Sequence, residues 1–196
     1  LASVTIPLSA RSIGEYAFSN CASLTSIAIP SSVETLGEGS FFYCIGLNKI
    51  ELTSGLRSIG GRAFSSCRKL TSIVMPASLK TIGGYAFDYC ESLTSVTLNE
   101  NLETIDYYCF SECINLSNIN LPNTLKNIGG YCFLNCYSLR SIVIPPLITE
   151  IGSFSNCKNL TSVTLNSGLK SVSGFSGCGF STITLPNSLT SIGYMA

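Results

Sequence analysis

Ten cysteines and no histidine bound the chemistry open to this chain. Without histidine, Ser-His and Cys-His nucleophile pairs cannot be assembled from its residues. The commonest metal ligand and general base is missing too. The thiols are the remaining candidates. Cys21, Cys44, Cys67, Cys90, Cys113, Cys136, Cys157 and Cys178 fill one recurring position, in steps of 23 as far as Cys136 and of 21 after it. Such spacing predicts one thiol per structural repeat, in a column turned inward. A free cysteine buried there acts as a small hydrophobe. Coils about 4.8 Å apart leave a disulfide open by Cα distance, although parallel Cβ vectors suit its dihedral angle poorly. Cys109 and Cys132 stand outside the column, four residues before Cys113 and Cys136. These four thiolates could form a structural zinc site. The simpler reading is exchange of alanine for cysteine in a core that accepts small residues, and no cofactor is expected.

What positions the thiols is a 23-residue phrase, L-x-x-I-x-I-P-x-x-L-x-x-I-G-x-x-A-F-x-x-C-x-x. Its leading apolar residues are Leu1, Leu24, Leu47, Leu70, Leu93, Leu116, Leu139, Leu160 and Phe180, with six steps of 23, one of 21 and one of 20. A fixed period of this length predicts a solenoid of stacked coils. Residues 1–196 read as a single array of eight full repeats and a partial ninth, and the cut at both ends predicts a segment of a longer array. Within one repeat, Leu70, Ile73 and Met75 alternate with Thr71, Ser72 and Val74, which predicts a short strand ended by Pro76. Leu79 and Ile82 then point inward, and Gly83 suggests a corner with positive φ. Ala86 and Phe87 follow in a short helical or 3₁₀ turn on the back. Phe18, Phe41, Phe64, Phe87, Phe110, Phe133, Phe154 and Phe175 should form a stacked row. The last full copies lack residues in the back turn, between Gly152 and Phe154. Strand pairing is expected to continue there over a thinner back, with changed curvature.

The segments SIGEYAFSNCASLTSIAIP (12–30), SIGGRAFSSCRKLTSIVMP (58–76) and TIGGYAFDYCESLTSVTL (81–98) resemble the BspA-type, or Treponema-type, leucine-rich repeats. The resemblance covers the whole chain. It implies an α/β solenoid: a right-handed leucine-rich-repeat coil with one parallel β-sheet of about nine short strands on the concave face and short helical or 3₁₀ turns on the back. It also implies a cell-surface or secreted protein that adheres to host proteins, matrix or another cell. It carries over no catalytic residues, so the chain is expected not to be an enzyme. A structural spacer projecting another domain is the alternative.

Charged residues are 11% of the chain and the net charge is zero. That argues against nucleic acid and against a membrane surface reached by polybasic attraction. No apolar run approaches the roughly 20 residues of a spanning helix. Recognition must therefore use the solenoid surface. One candidate is the outward face of the strands, small and polar, whose distinctive features are Lys49, Glu51, Asn118, Asn120 and Arg140. The other is a tyrosine column beside the back turn: Tyr16, Tyr85, Tyr108 and Tyr131, with Tyr107 and Tyr194 adjacent. Tyrosine suits interfaces because it is rigid and amphipathic. Arg11, Glu34, Arg57, Lys80, Glu103 and Lys126 form a mixed-sign column that reads as coil-to-coil pairing. Asn115-Leu116-Ser117 and Asn159-Leu160-Thr161 match the glycosylation pattern, but each spans a buried leading leucine. Uncapped apolar ends would also allow end-to-end self-association.

Overall fold

The computed structural model describes residues 1–194 and 196. Coils are numbered here from their leading residues, coil 1 from Leu1 through coil 9 from Phe180. Sixteen strands are present among the described residues. The first eight are β1 (Ser12–Ile13), β2 (Ser26–Ile29), β3 (Thr35–Leu36), β4 (Lys49–Leu52), β5 (Ser58–Ile59), β6 (Ser72–Val74), β7 (Thr81–Ile82) and β8 (Ser95–Thr97). The rest are β9 (Thr104–Ile105), β10 (Asn118–Ile119), β11 (Asn127–Ile128), β12 (Ser141–Val143), β13 (Glu150–Ile151), β14 (Ser162–Thr164), β15 (Ser171–Val172) and β16 (Ser191–Ile192). Every pairing is parallel and joins the same position in neighbouring coils.

The strands make two walls. The even-numbered strands β2 to β14 are the alternating apolar segments read from the sequence, and they pair as β2–β4, β6–β8–β10 and β12–β14. The second wall runs β1–β3–β5–β7–β9–β11 and then β13–β15–β16. The expected single sheet of about nine strands with helical or 3₁₀ turns behind it is therefore corrected twice: a second ladder exists, and no helix occurs among the described residues. The second ladder escapes the sequence pattern because each of its strands is two residues long, too short to show an alternation.

The back of each coil explains the missing helix. Tyr16, Arg62, Tyr85, Tyr108 and Tyr131 have φ between 53° and 59°, as does Gly39 in the same position at 56°. Four residues further on, Asn20, Tyr43, Ser66, Tyr89, Glu112 and Asn135 are left-handed as well. A helix cannot tolerate two left-handed residues in five. The alternation instead turns amides along the solenoid axis. Phe18, Phe41, Phe64, Phe87, Phe110, Phe133 and Phe154 each donate a backbone N–H to a carbonyl in the next coil at 2.8–2.9 Å. This third ladder runs opposite to the bonds at the recurring glycine of the second wall, where the later coil donates to the earlier one, as in Gly37 N–H to Ile13 O at 2.8 Å.

The recurring glycine is a second correction. Gly14, Gly37, Gly60, Gly83, Gly129, Gly152 and Gly193 do not have positive φ; in the coils of Gly14, Gly37, Gly60, Gly83 and Gly129 it falls two residues later. Most of them are small for another reason, the close passage of neighbouring backbones. A Cβ on Gly60 would sit 2.7 Å from Gly37 C and Leu36 O, and one on Gly129 would sit 2.2 Å from Tyr107 N.

The core follows the sequence closely. The eight phenylalanines stack with centroids 5.2–5.7 Å apart and planes within 19°. Each contact of this kind is worth about 0.5–1.5 kcal/mol beyond its buried area. Leu24, Leu47, Leu70, Leu93, Leu116, Leu139 and Leu160 are fully buried beneath them.

One junction differs. Between coils 6 and 7 both walls open: β10 does not pair with β12, nor β11 with β13. Pairing resumes after it, through β12–β14 and β13–β15. The back stays closed across the same junction, with Tyr131 N–H to Gly152 O at 3.0 Å and Phe133 N–H to Ser153 O at 2.8 Å. Continued strand pairing over a thinner back is thus corrected at this place. Elsewhere the left-handed residue donates to the residue after the recurring glycine, as Tyr108 does to Gly130 O at 3.1 Å. Coil 7 lacks residues in its turn, so Gly152 itself must supply that carbonyl. Drawn toward the back, it no longer donates to Ile128 O as Gly129 does to Ile105 O at 2.8 Å.

Candidate binding surfaces

All ten thiols are free, eight of them buried. Each column cysteine from Cys44 to Cys178 donates its S–H to the carbonyl of the phenylalanine one coil earlier, at 3.1–3.5 Å. That carbonyl also accepts the cysteine N–H of its own coil, as Phe64 O does from Cys67 at 3.2 Å. The column is therefore more than a row of small hydrophobes: each thiol satisfies the second lone pair of a backbone acceptor at the coil's tightest turn. Burial pushes Cys67, Cys90, Cys113 and Cys136 well above the ordinary thiol range. Cys44 and Cys178, nearer the ends, are raised to about 11, again by burial. Cys109 is raised by burial and by a hydrogen bond with Cys132 in the next coil. Cys113 and Cys136 are occupied by the carbonyls of Phe87 and Phe110. Among the described residues no three potential ligands converge on one point.

The first wall presents its outward side chains in register. Ser26 faces Lys49 and Ala28 faces Glu51 across β2 and β4; Asn118 faces Ser95; Val143 faces Thr164. Lys49 and Glu51 are spent largely on each other, in an exposed ion pair of 2.6 Å. Such a pair contributes about 0–1 kcal/mol. Asn118, Asn120 and Arg140 are exposed, although Arg140 precedes β12 rather than standing in its columns. Val74 and Val143 are each 63% exposed on this face, an apolar feature beside its charges and amides. The wall is also not smooth. Where β4 and β6 fail to pair, a depression of about 510 Å³ lies among Lys49, Glu51, Thr71 and Val74. A smaller one, about 110 Å³, lies where β10 and β12 part, among Asn118, Asn120, Ser141 and Val143.

The tyrosines occupy another side of the coil. Tyr85, Tyr108 and Tyr131 stack at 4.9 and 5.1 Å, and Tyr107 meets Tyr85 edge-on at 5.2 Å. Tyr16 is linked to them through charge rather than rings. Its hydroxyl donates to Glu38 Oε1 at 3.0 Å, Arg62 donates to the same oxygen at 3.1 Å, and the Arg62 guanidinium lies 4.9 Å from the Tyr85 ring centre. Gly39 fits between because a Cβ there would come within 2.3 Å of the Tyr16 ring. The predicted site residues thus form two separate surfaces, with Tyr16, Tyr85, Tyr108 and Tyr131 on one and Lys49, Glu51, Asn118, Asn120 and Arg140 on the other. The mixed-sign column behaves as read: Arg57 pairs with Glu34 at 3.4 Å, and Lys80 and Lys126 both reach Glu103, at 3.4 and 2.7 Å.

A stack of short parallel coils with a continuous phenylalanine core defines the class: a repeat solenoid of the leucine-rich type. The sequence profile of the BspA type leucine rich repeat region matches residues 1–98 and 80–196. The chain belongs to that family. Its structure is similar to that of a leucine rich repeat protein of T. pallidum, with 32% identity and a TM-score of 0.59 over 86% of this chain and 70% of the other. It is also similar to a leucine rich cell surface protein of Faecalibacterium prausnitzii, with 19% identity and a TM-score of 0.51 over 98% of this chain and 76% of the other. The second likeness speaks for the fold alone. A comparison with curated proteins finds no match.

Proposed function

We propose that this array is a non-enzymatic binding module of a cell-surface or secreted protein, adhering to host or matrix proteins or to another cell. The observation that carries the reading is the outer wall, in register within each paired set of strands, with Val74 and Val143 exposed across its two breaks from the Lys49–Glu51 pair and the Asn118–Asn120 amides. A side chain repeated at strand spacing offers an extended partner several weak contacts at once, which sum without any one deep pocket. Exposed valine flanked by polar groups is also the composition of a protein-docking face. Surface location is supported by the family. Eight of the ten thiols are buried, away from any partner at the surface.

Binding to immobilised matrix proteins and to host cells tests this. The paired variants Lys49→Ala/Glu51→Ala and Val74→Ser/Val143→Ser should weaken adhesion about tenfold while leaving the fold intact. A structural spacer is the second reading, favoured by the inter-coil use of charge at Glu34–Arg57, Glu38–Arg62 and Arg68–Glu91. Adhesion unchanged by substitutions on both surfaces would favour the spacer.

A further inference from the structure

The opened second wall between coils 6 and 7 leaves a cavity of about 410 Å³ that spans coils 6 to 9. That volume lies within the roughly 300–1,000 Å³ of small-ligand sites. Its walls are two tyrosines from different coils. Tyr131 ends the stack begun by Tyr85 and Tyr108, because coil 7 has no residue in the tyrosine position; its ring lines the cavity. Tyr194 lines it from coil 9 and is 77% exposed, its backbone fixed by Gly174 N–H to Tyr194 O at 3.2 Å.

Between the rings the surface is glycine backbone, so main-chain groups are within reach of a ligand. Two of them lack their usual partners. In other coils the recurring glycine donates to the wall residue behind it, as Gly83 does to Ile59 O and Gly129 to Ile105 O, both at 2.8 Å. Among the described residues Gly152 N–H and Ile128 O make no such bond, and both residues line the cavity. Unpaired backbone groups at a cavity wall seek water or a ligand. Ser171 and Ser173 add hydroxyls and Glu150 a carboxylate.

The chemistry of this lining selects a ligand class. No lysine or arginine lines the cavity and one carboxylate does, which disfavours phosphate, sulfate and carboxylate ligands. Two isoleucines are its only aliphatic side chains, too few for a lipid chain. What fits is a neutral molecule with an apolar ring face and many hydroxyls that both donate and accept. A pyranose has that form: its C–H face can lie on Tyr131 as the next rung of the stack, while its hydroxyls meet Gly152 N–H, Ile128 O and the serines. We propose that this cavity is a binding site for a neutral hexopyranose unit of a glycan, separate from the outer wall.

The probes are soluble neutral hexasaccharides of glucose, mannose and N-acetylglucosamine, with a sulfated heparin hexasaccharide as the anionic arm. Saturation-transfer NMR and calorimetric titration read binding to the whole chain. At least one neutral hexasaccharide should bind, and Tyr131→Ala should weaken it about three- to tenfold, the worth of one aromatic contact. Gly130→Gln should weaken it at least as much: Gly130 lines the cavity and a Cβ there meets nothing within 4 Å, so a longer side chain at the cavity wall crowds the ligand without disturbing the fold. Tyr137→Ala, an aromatic change away from the cavity, should leave the titration unchanged. The proposal is overturned if no neutral hexasaccharide binds at millimolar concentration, if only the heparin fragment binds, or if binding survives both Gly130→Gln and Tyr131→Ala.

Discussion

At the scale of single residues, the same type does different work according to what its neighbours leave unpaired. The column cysteines show this best. Cys90 is fully buried and donates to Phe64 O, so Cys90→Ala removes a donor and some volume together. It should cost about 1–2 kcal/mol in denaturant unfolding. With their thiolates disfavoured by burial, Cys67, Cys90, Cys113 and Cys136 should resist alkylation at pH 8 in the native state and react fully once unfolded; rapid modification of Cys90 or Cys113 in folded protein would contradict the packing. Asp88 gives a pH signature. Burial raises its carboxyl to about 6, only partly offset by the Ser111 hydroxyl. A raised carboxyl means the native state binds the proton more tightly than the unfolded chain does, so stability falls as pH climbs from about 4 through 6. Asp88→Asn should flatten that slope and raise the melting temperature at pH 7.

At the scale of elements, the tyrosine position carries its side chain on a left-handed backbone that glycine adopts freely, as Gly39 does. Tyr85→Gly should therefore be about 1 kcal/mol more stable than Tyr85→Ala, which loses the stack and keeps the strain. The glycine ahead of it separates two situations. Gly60→Ala should cost about 2 kcal/mol or more, because its Cβ would press on coil 2 backbone, whereas Gly14→Ala, with open space, should be near neutral. The first wall was legible in the sequence because Leu70, Ile73 and Met75 alternate over enough residues to reveal a face. The phenylalanine and cysteine columns were legible because each recurs once per repeat. The second wall was not, since Thr81–Ile82 is a single inward residue beside one outward one. The back turns were not either: Tyr and Arg are poor markers of positive φ, and the recurring glycine stands two residues before the left-handed one. Of the surfaces, the tyrosine stack was visible as a column. The cavities were not, because they arise where ladders stop, and that depends on how a shortened turn redistributes hydrogen bonds.

At the scale of the whole molecule, three inter-coil ladders and a core of stacked rings make every coil depend on its neighbours, as expected of an array whose units cannot bury their apolar faces alone. The junction of coils 6 and 7 is the exception. There the phenylalanine stack continues, at 5.2 Å between Phe133 and Phe154, while both strand walls are open. Rings and back amides hold the halves together, and the surface gains its aromatic-walled cavity at that same step. Residue-resolved amide hydrogen exchange measures this arrangement most directly. Stacked coils joined by three ladders predict strong protection at Gly83, Phe87 and Tyr131 and fast exchange at Gly152. Protection of Gly152 equal to that of Gly83, or free exchange at Phe87, would contradict it.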